Sequence, residues 1–108
     1  MDITNSISAM TGIFIIEDHK VVIDSLTYMF NSIEDKIKIY GSAMTAKDAI
    51  EKLKTSKAEI ILLDLVLPDM SGAELCKYLK QSYPSKKIIV LTGESRPDVL
   101  KRAWDNGV

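Results

Sequence analysis

The segment IILLDLVLPDMSG, residues 60–72, places an aspartate directly behind four apolar residues. Polar groups follow two similar runs in the same way: Glu17-Asp18 follows residues 13–16, and Thr92-Gly93 closes the run at residues 88–91. Short runs rich in β-branched residues are typical of parallel strands covered on both faces. If these three strands are neighbours, their carboxyl ends bring the carboxylates of Glu17, Asp18 and Asp64 and the Thr92 hydroxyl into a single crevice.

The repulsion between clustered carboxylates must be offset by a raised pKa, a cationic side chain or a bound divalent metal. Two carboxylates ~5 Å apart repel by roughly 3 kcal/mol at an effective dielectric constant near 20. Oxygen ligands on loops favour a hard divalent cation, Mg²⁺ or Mn²⁺ in its place. A carboxylate beside such an ion that attacks phosphorus becomes an aspartyl phosphate. The Thr92 hydroxyl and the Gly93 amide would then hydrogen-bond the phosphoryl oxygens.

Each of these features also has an ordinary structural interpretation. Asp64 alone is more often a strand end that meets water, Glu17-Asp18 a cap that favours the following helix dipole, and Thr92 a turn residue. His19 is interpreted as a helix-start residue without a chemical role, and Cys76 as a packing residue of the third helix. The coincidence of three signals at three strand ends favours a common site.

The elements between these runs have helical periodicity. Residues 37–40 form a further run, in which Lys38 alternates with apolar residues, as in an edge strand. The pattern is βα repeated four times, which predicts an α/β fold with a doubly wound parallel sheet. Four helices are expected, with these apolar stripes: Val22, Leu26, Met29, Phe30 and Ile33; Ala46, Ala49, Ile50 and Leu53; Leu75, Tyr78 and Leu79; Leu100, Ala103 and Trp104.

Composition bounds the class of protein. A chain of 108 residues suits one domain, interpreted as a polar N-terminal tail at residues 1–11 and a domain at residues 12–108. The net charge of −1 gives no case for direct binding of nucleic acid or membrane by this segment. One cysteine excludes an internal disulfide and suits the cytoplasm, and no apolar run approaches the ~20 residues of a membrane span.

These motifs, in this order and spacing, resemble the receiver domain of bacterial two-component response regulators. Pro68 and Gly72 stand four and eight residues after Asp64, as in the phosphoacceptor segment of that family, and the Glu-Asp-His start looks most like LuxR-type regulators. The resemblance implies a flavodoxin-like receiver fold. It also implies these roles: Asp64 as phosphoacceptor; Glu17, Asp18, Asp64 and the Val66 carbonyl as metal ligands; Thr92 as the switch hydroxyl, with Gly93 beside the phosphate.

The implied function is a phosphorylation-dependent signalling switch. Asp64 would accept a phosphoryl group from a sensor histidine kinase, with Mg²⁺, and signal to an output domain that binds DNA in the full-length protein. Such a domain catalyses its own phosphorylation and dephosphorylation and is not a turnover enzyme. Two alternatives remain: a phosphorylation-independent interaction module of the same fold, and a hydrolase of the haloacid dehalogenase type, which Val66 disfavours because that position usually holds a second Asp.

One departure from the family pattern is large. The family has five βα units, and four are recognised here. No residue takes the role of the family's phosphate-contacting lysine, and Lys101 stands in the wrong place. We therefore expect a fragment of a longer protein, or self-association through the exposed fourth strand or the fourth helix.

Overall fold

The computed structural model describes residues 11–31 and 36–90. These residues form four strands and three helices that alternate along the chain. The elements are β1 (Thr11–Ile16), α1 (Lys20–Asn31), β2 (Ile37–Ala43), α2 (Ala46–Leu53), β3 (Ile60–Leu63), α3 (Gly72–Ser82) and β4 (Lys87–Val90). The predicted fourth helix, residue Ile33 and residues 1–10 of the predicted tail lie outside the described residues, whereas Thr11 belongs to β1.

The four strands make one parallel sheet in the order β2-β1-β3-β4. Ile16 is in register with Leu63, and Leu63 with Val90, so β1, β3 and β4 end side by side. This adjacency confirms the expectation that these three strands are neighbours in the sheet. The adjacency of these strands is favoured because the helices that connect them must bury their apolar sides against a face of the sheet.

Helices cover both faces of the sheet, which confirms the doubly wound α/β architecture. On one face, α2 and α3 pack with the even-numbered residues of β1, such as Phe14 and Ile16. On the other face, α1 packs with the odd-numbered residues Ile13 and Ile15. Strand β1 is therefore buried on both faces, as its continuous apolar run predicts.

The two outer strands are less covered. Strand β2 exposes Lys38, in agreement with the predicted edge strand. Strand β4 is the other edge within the described residues, and the side chain of Ile89 is 48% exposed. The described part of the chain contains no helix with the length and apolar character needed to cross a bilayer.

A bulge interrupts the pairing of β1 with β2. Ile13 is in register with Ile39, whereas Phe14 is in register with Gly41, so Tyr40 is an additional residue in β2. The Tyr40 ring lies over Gly12, where a Cβ atom would stand 2.3 Å from the ring, and Phe14 lies against Gly41. Glycine at these two positions therefore leaves room for the aromatic rings beside the bulge.

The helices differ in how well periodicity predicts their buried faces. In α2, Ala46, Ala49 and Leu53 are buried, as predicted. In α1 the buried residue is Ile23, and Met29 is 49% exposed, so the predicted stripe through residues 22 and 29 is wrong in part. The segment Val22-Ile23 offers two adjacent apolar residues, and the helix turns the second towards the sheet.

Ser71 is the N-cap of α3, and its hydroxyl accepts a hydrogen bond from the Ala73 amide at 3.2 Å. Cys76 is fully buried against the sheet, which confirms its predicted packing role. Helix α3 thus begins directly behind the segment that follows Asp64.

Candidate functional site

Two of the predicted acids are held by continuations of the strand ladders. The Asp64 amide donates to the Ile16 carbonyl at 2.9 Å, and the Glu17 amide donates to the Ala43 carbonyl at 3.0 Å. Each acid thus occupies the first position beyond its strand. Both residues are more than nine-tenths buried, Glu17 at 8% exposure and Asp64 at 7%. The sheet therefore fixes the backbone of both acids before any ligand is present.

A short closed loop follows Asp64. The Val66 amide donates to Asp64 Oδ1 at 3.1 Å, and the Gly72 amide donates to the Leu65 carbonyl at 2.9 Å. Val66 and Ser71 form an antiparallel bridge across the loop. The bond from Val66 holds one oxygen of the Asp64 carboxylate. The role of the Val66 carbonyl as a metal ligand stays a prediction.

Four side chains converge at this point. One oxygen from each of Glu17, Asp18 and Asp64 and one ring nitrogen of His19 all lie within 4.8 Å of one another. The structure thus brings together all three carboxylates that the sequence predicts for this crevice. Thr92 and Gly93, the predicted phosphate contacts, lie outside the described residues.

His19 was not predicted to take part, and its ring lies in this group. Nδ1 is 2.9 Å from Glu17 Oε2 and 2.8 Å from Asp18 Oδ1, and the His19 amide donates to the same Glu17 oxygen at 3.0 Å. The His19 carbonyl accepts from the first turn of α1, which agrees with its predicted place at a helix start. The adjacency of His19 to two acids was the available signal, but no periodicity sets the direction of a side chain between a strand and a helix.

The environment moves the pKa values of these groups apart. Burial raises the pKa of the Asp64 carboxyl, the bond from the Val66 amide lowers it in part, and the charge of Glu17 raises it further. Burial also raises the pKa of Glu17, but the hydrogen bonds from His19 outweigh burial, so this pKa lies below its usual range. The pKa of His19 is raised by its hydrogen bond to Glu17 and by the charge of Asp18. Separated pKa values of this kind are typical of functional sites.

The donor set fits a hard cation. Asp18 Oδ1 is a buried oxygen that accepts no hydrogen bond, although His19 Nδ1 lies close to it. A buried carboxylate oxygen without a hydrogen bond is costly unless a cation or another donor satisfies it. Three carboxylates that share one small volume also repel each other. The cluster can therefore hold a divalent cation through oxygen ligands, with the His19 nitrogen next to them.

Comparison with known proteins assigns the family. The profile of the response regulator receiver domain matches residues 13–108. Response regulator protein VraR of Staphylococcus saprophyticus is 34% identical over 97 residues, which cover 89% of this chain and 46% of VraR. Transcriptional regulatory protein DesR of Bacillus subtilis is 32% identical over 99 residues, covering 92% of this chain and 48% of DesR. The chain thus spans about half the length of the curated relatives it matches.

Solved structures agree. The isolated receiver domain of RcsB from Salmonella enterica serovar Typhimurium, determined with the phosphomimetic BeF₃⁻, superposes with a TM-score of 0.84 at 27% identity. The match covers 92% of this chain and 73% of that domain. These relatives are of the LuxR type that the sequence indicates. The chain therefore belongs to the response regulator receiver domain family.

Proposed function

We propose that this domain is a phosphorylation-controlled switch in which Asp64 is the phosphoacceptor. The observation that carries the proposal is the buried Asp64 carboxylate at the end of β3, within 4.8 Å of the Glu17 and Asp18 oxygens in a chain of the receiver family. Receiver domains are signalling proteins, and the related RcsB domain, whose structure was determined in the presence of a phosphomimetic, supports the same chemistry here.

The proposed reaction transfers a phosphoryl group from a phosphohistidine of a sensor kinase. A carboxylate oxygen of Asp64 attacks phosphorus, the new O–P bond forms, and the P–N bond breaks to release the imidazole. Because the Val66 amide holds Oδ1, we assign the attack to Oδ2. The loop thereby orients the nucleophile without occupying the attacking oxygen.

The proposed cofactor is Mg²⁺ or Mn²⁺. Asp18, Asp64 and the Val66 carbonyl would hold the ion, and Glu17 would act through water. Bound there, the ion would offset the carboxylate charges and the negative charge that develops on the phosphoryl group. The observation that best supports this assignment is that Asp18 Oδ1 is buried and accepts no hydrogen bond.

The proposed output is transcriptional. Phosphorylation replaces the single negative charge of the Asp64 carboxylate with an acyl phosphate that carries nearly two, which biases the neighbouring surface towards another conformation. We assign the phosphate contacts to Thr92 and Gly93. The name of DesR, a transcriptional regulatory protein of about twice this length, supports a DNA-binding output domain in the full-length protein. The clustered acids disfavour the alternative of a phosphorylation-independent module, which would be more stable with fewer of them.

The test is phosphorylation by a small-molecule donor. The chain is incubated with acetyl phosphate or phosphoramidate and Mg²⁺, and its intact mass is measured. We expect one added phosphoryl group, which is absent from Asp64→Asn and from samples with a chelator. Asp24→Asn is the matched control, because Asp24 is an exposed acid of α1 that pairs with Lys20. Incorporation that survives Asp64→Asn, or none into the wild-type chain, would overturn the proposal.

A further inference from the structure

Asp69 makes a contact that its place in the sequence does not suggest. It stands five residues after Asp64, in the exposed part of the loop, and its carboxylate reaches the start of α2. Oδ1 accepts from the Ala46 amide at 2.8 Å, and Oδ2 accepts from the Lys47 amide at 2.9 Å. Both amides belong to the first turn of α2, where backbone donors have no partner within the helix. Asp69 thus caps a helix from another part of the chain.

Among the described residues, the other hydrogen bonds of the loop lead to Asp64 or α3 or stay within the loop. Gly72 bonds back to Leu65, and Ser71 bridges to Val66. These bonds hold the two ends of the loop together. The bonds of Asp69 hold the far side of the same loop against α2, whose Ala46 and Leu53 are buried in the main core. Asp69 therefore joins the segment that carries Val66 to a fixed body of the fold.

Helix α2 does not depend on Asp69 alone. Thr45 is its own N-cap, and the Thr45 hydroxyl accepts from the Asp48 amide at 3.1 Å. The two caps serve the same helix, but only one of them belongs to the loop after Asp64. If Asp69 served helix stability only, loss of either cap would have the same consequences for the rest of the protein.

We propose that Asp69 is a positioning residue of the phosphoacceptor site, which holds the loop after Asp64 in the form that binds the divalent cation. This role rests on the proposed function. Without the two bonds to α2, the remaining hydrogen bonds among the described residues tie this loop to Asp64, to itself and to the start of α3, and Leu67 and Met70 still pack on the main core. The Val66 amide and carbonyl then lose part of their fixed placement relative to Asp64. Groups that orient metal ligands from outside typically affect metal affinity by about 10- to 100-fold.

The experiment compares Asp69→Ala and Asp69→Asn with Thr45→Ala in the full chain. The concentration of Mg²⁺ that gives half-maximal phosphoryl incorporation is measured at saturating acetyl phosphate, and Mg²⁺ affinity is measured separately by calorimetry. We expect Asp69→Ala to raise the half-maximal Mg²⁺ concentration by about 10-fold. Asp69→Asn keeps one acceptor oxygen and should lie between Asp69→Ala and the wild type. Thr45→Ala should lower the melting temperature and leave Mg²⁺ affinity unchanged.

The outcomes separate this role from simple helix capping. Equal shifts in Mg²⁺ affinity for Asp69→Ala and Thr45→Ala would overturn the inference, and so would no shift for either Asp69 variant. If Asp69→Ala fails to fold, the comparison of Asp69→Asn with Thr45→Ala decides by the same criterion. A wild-type chain that neither binds Mg²⁺ nor takes up phosphoryl groups would instead overturn the proposed function, and this role with it.

Discussion

The amide and the ring of His19 both address one oxygen of Glu17, at 3.0 Å from the amide nitrogen and 2.9 Å from Nδ1. This double contact keeps the Glu17 carboxylate ionised although the residue is buried, which is why its pKa lies below the usual range. The ionised Glu17 affects Asp64 in turn: burial raises the pKa of the Asp64 carboxyl, and the charge of Glu17 raises it further. The ionised Asp64 therefore destabilises the metal-free fold.

We predict that Asp64→Asn stabilises the protein in the absence of divalent cations at pH 7. The variant removes one of three neighbouring carboxylate charges and keeps a side-chain oxygen for the Val66 amide. The expected gain in the free energy of unfolding is on the order of 1–3 kcal/mol. Urea denaturation in a chelator measures it. Asp24→Asn, which changes an exposed acid, should show no such gain, and an Asp64→Asn chain less stable than wild type would contradict the prediction.

The same pair predicts a pH dependence. In the folded protein the pKa of Asp64 is raised above its ordinary value of 3.8. The protonated Asp64 therefore contributes to the stability of the fold, and this contribution is fully present below pH 3.8. This contribution is lost as the pH rises through the raised pKa. The advantage of Asp64→Asn should therefore be small near pH 3.8 and grow towards neutral pH. Denaturation curves of both chains across this range test it, and a constant difference would count against the raised pKa.

We predict that Mg²⁺ stabilises the wild-type chain and that Asp18→Asn abolishes most of this effect. Asp18 supplies the buried oxygen that lacks a hydrogen bond. A ligand at tenfold its dissociation constant stabilises by about 1.4 kcal/mol, which is roughly 5–10 °C in melting temperature for a domain of this size. Thermal melts with and without Mg²⁺ measure the shift. An equal shift in Asp18→Asn would show that the ion binds elsewhere.

Gly72→Ala should distort the site through the backbone. A Cβ at this position would lie 2.4 Å from Leu65 Cα and 2.6 Å from the Asp64 carbonyl oxygen. Backbone atoms cannot rotate away, so we expect a loss of about 1–3 kcal/mol in the free energy of unfolding and a weaker response to Mg²⁺. Gly41→Ala is the control for crowding alone: its Cβ would stand 2.9 Å from the buried Phe14 ring, so it should lower the free energy of unfolding and leave the response to Mg²⁺ unchanged. Retained stability and Mg²⁺ response in Gly72→Ala would contradict this prediction.

Much of the fold could be predicted because a strand that is buried on both faces has an uninterrupted run of apolar residues in the sequence. Residues 60–63 are apolar without interruption and form β3 with the same bounds, and β4 begins at Lys87, one residue before the predicted run at residues 88–91. The face of α1 was harder, since Val22 and Ile23 are both apolar and packing decides between them.

The acids of the site were predictable for a similar reason. Strand ends in a parallel sheet meet at one edge, so the positions of Glu17 and Asp64 after their strands were sufficient. His19 was missed because its ring direction depends on a local turn. Asp69 was missed because its partners, Ala46 and Lys47, are 23 and 22 residues away in the chain, and a cap of this kind has no local pattern.

The additional residue at Tyr40 has a consequence for the position of Glu17. Side chains alternate along a strand, yet Ile37 and Ile39 pack on the α1 face while Ala43, of the same parity, packs with α2. The bulge shifts the alternation of side chains by one residue, so that odd-numbered residues after it point to the opposite face of the sheet. Ala43 also accepts the Glu17 amide. If β2 paired with β1 without the bulge, Ser42 instead of Ala43 would be in register with Ile16, and a different carbonyl would lie beside the Glu17 amide. The additional residue at the edge of the sheet therefore helps to determine where the acidic cluster begins.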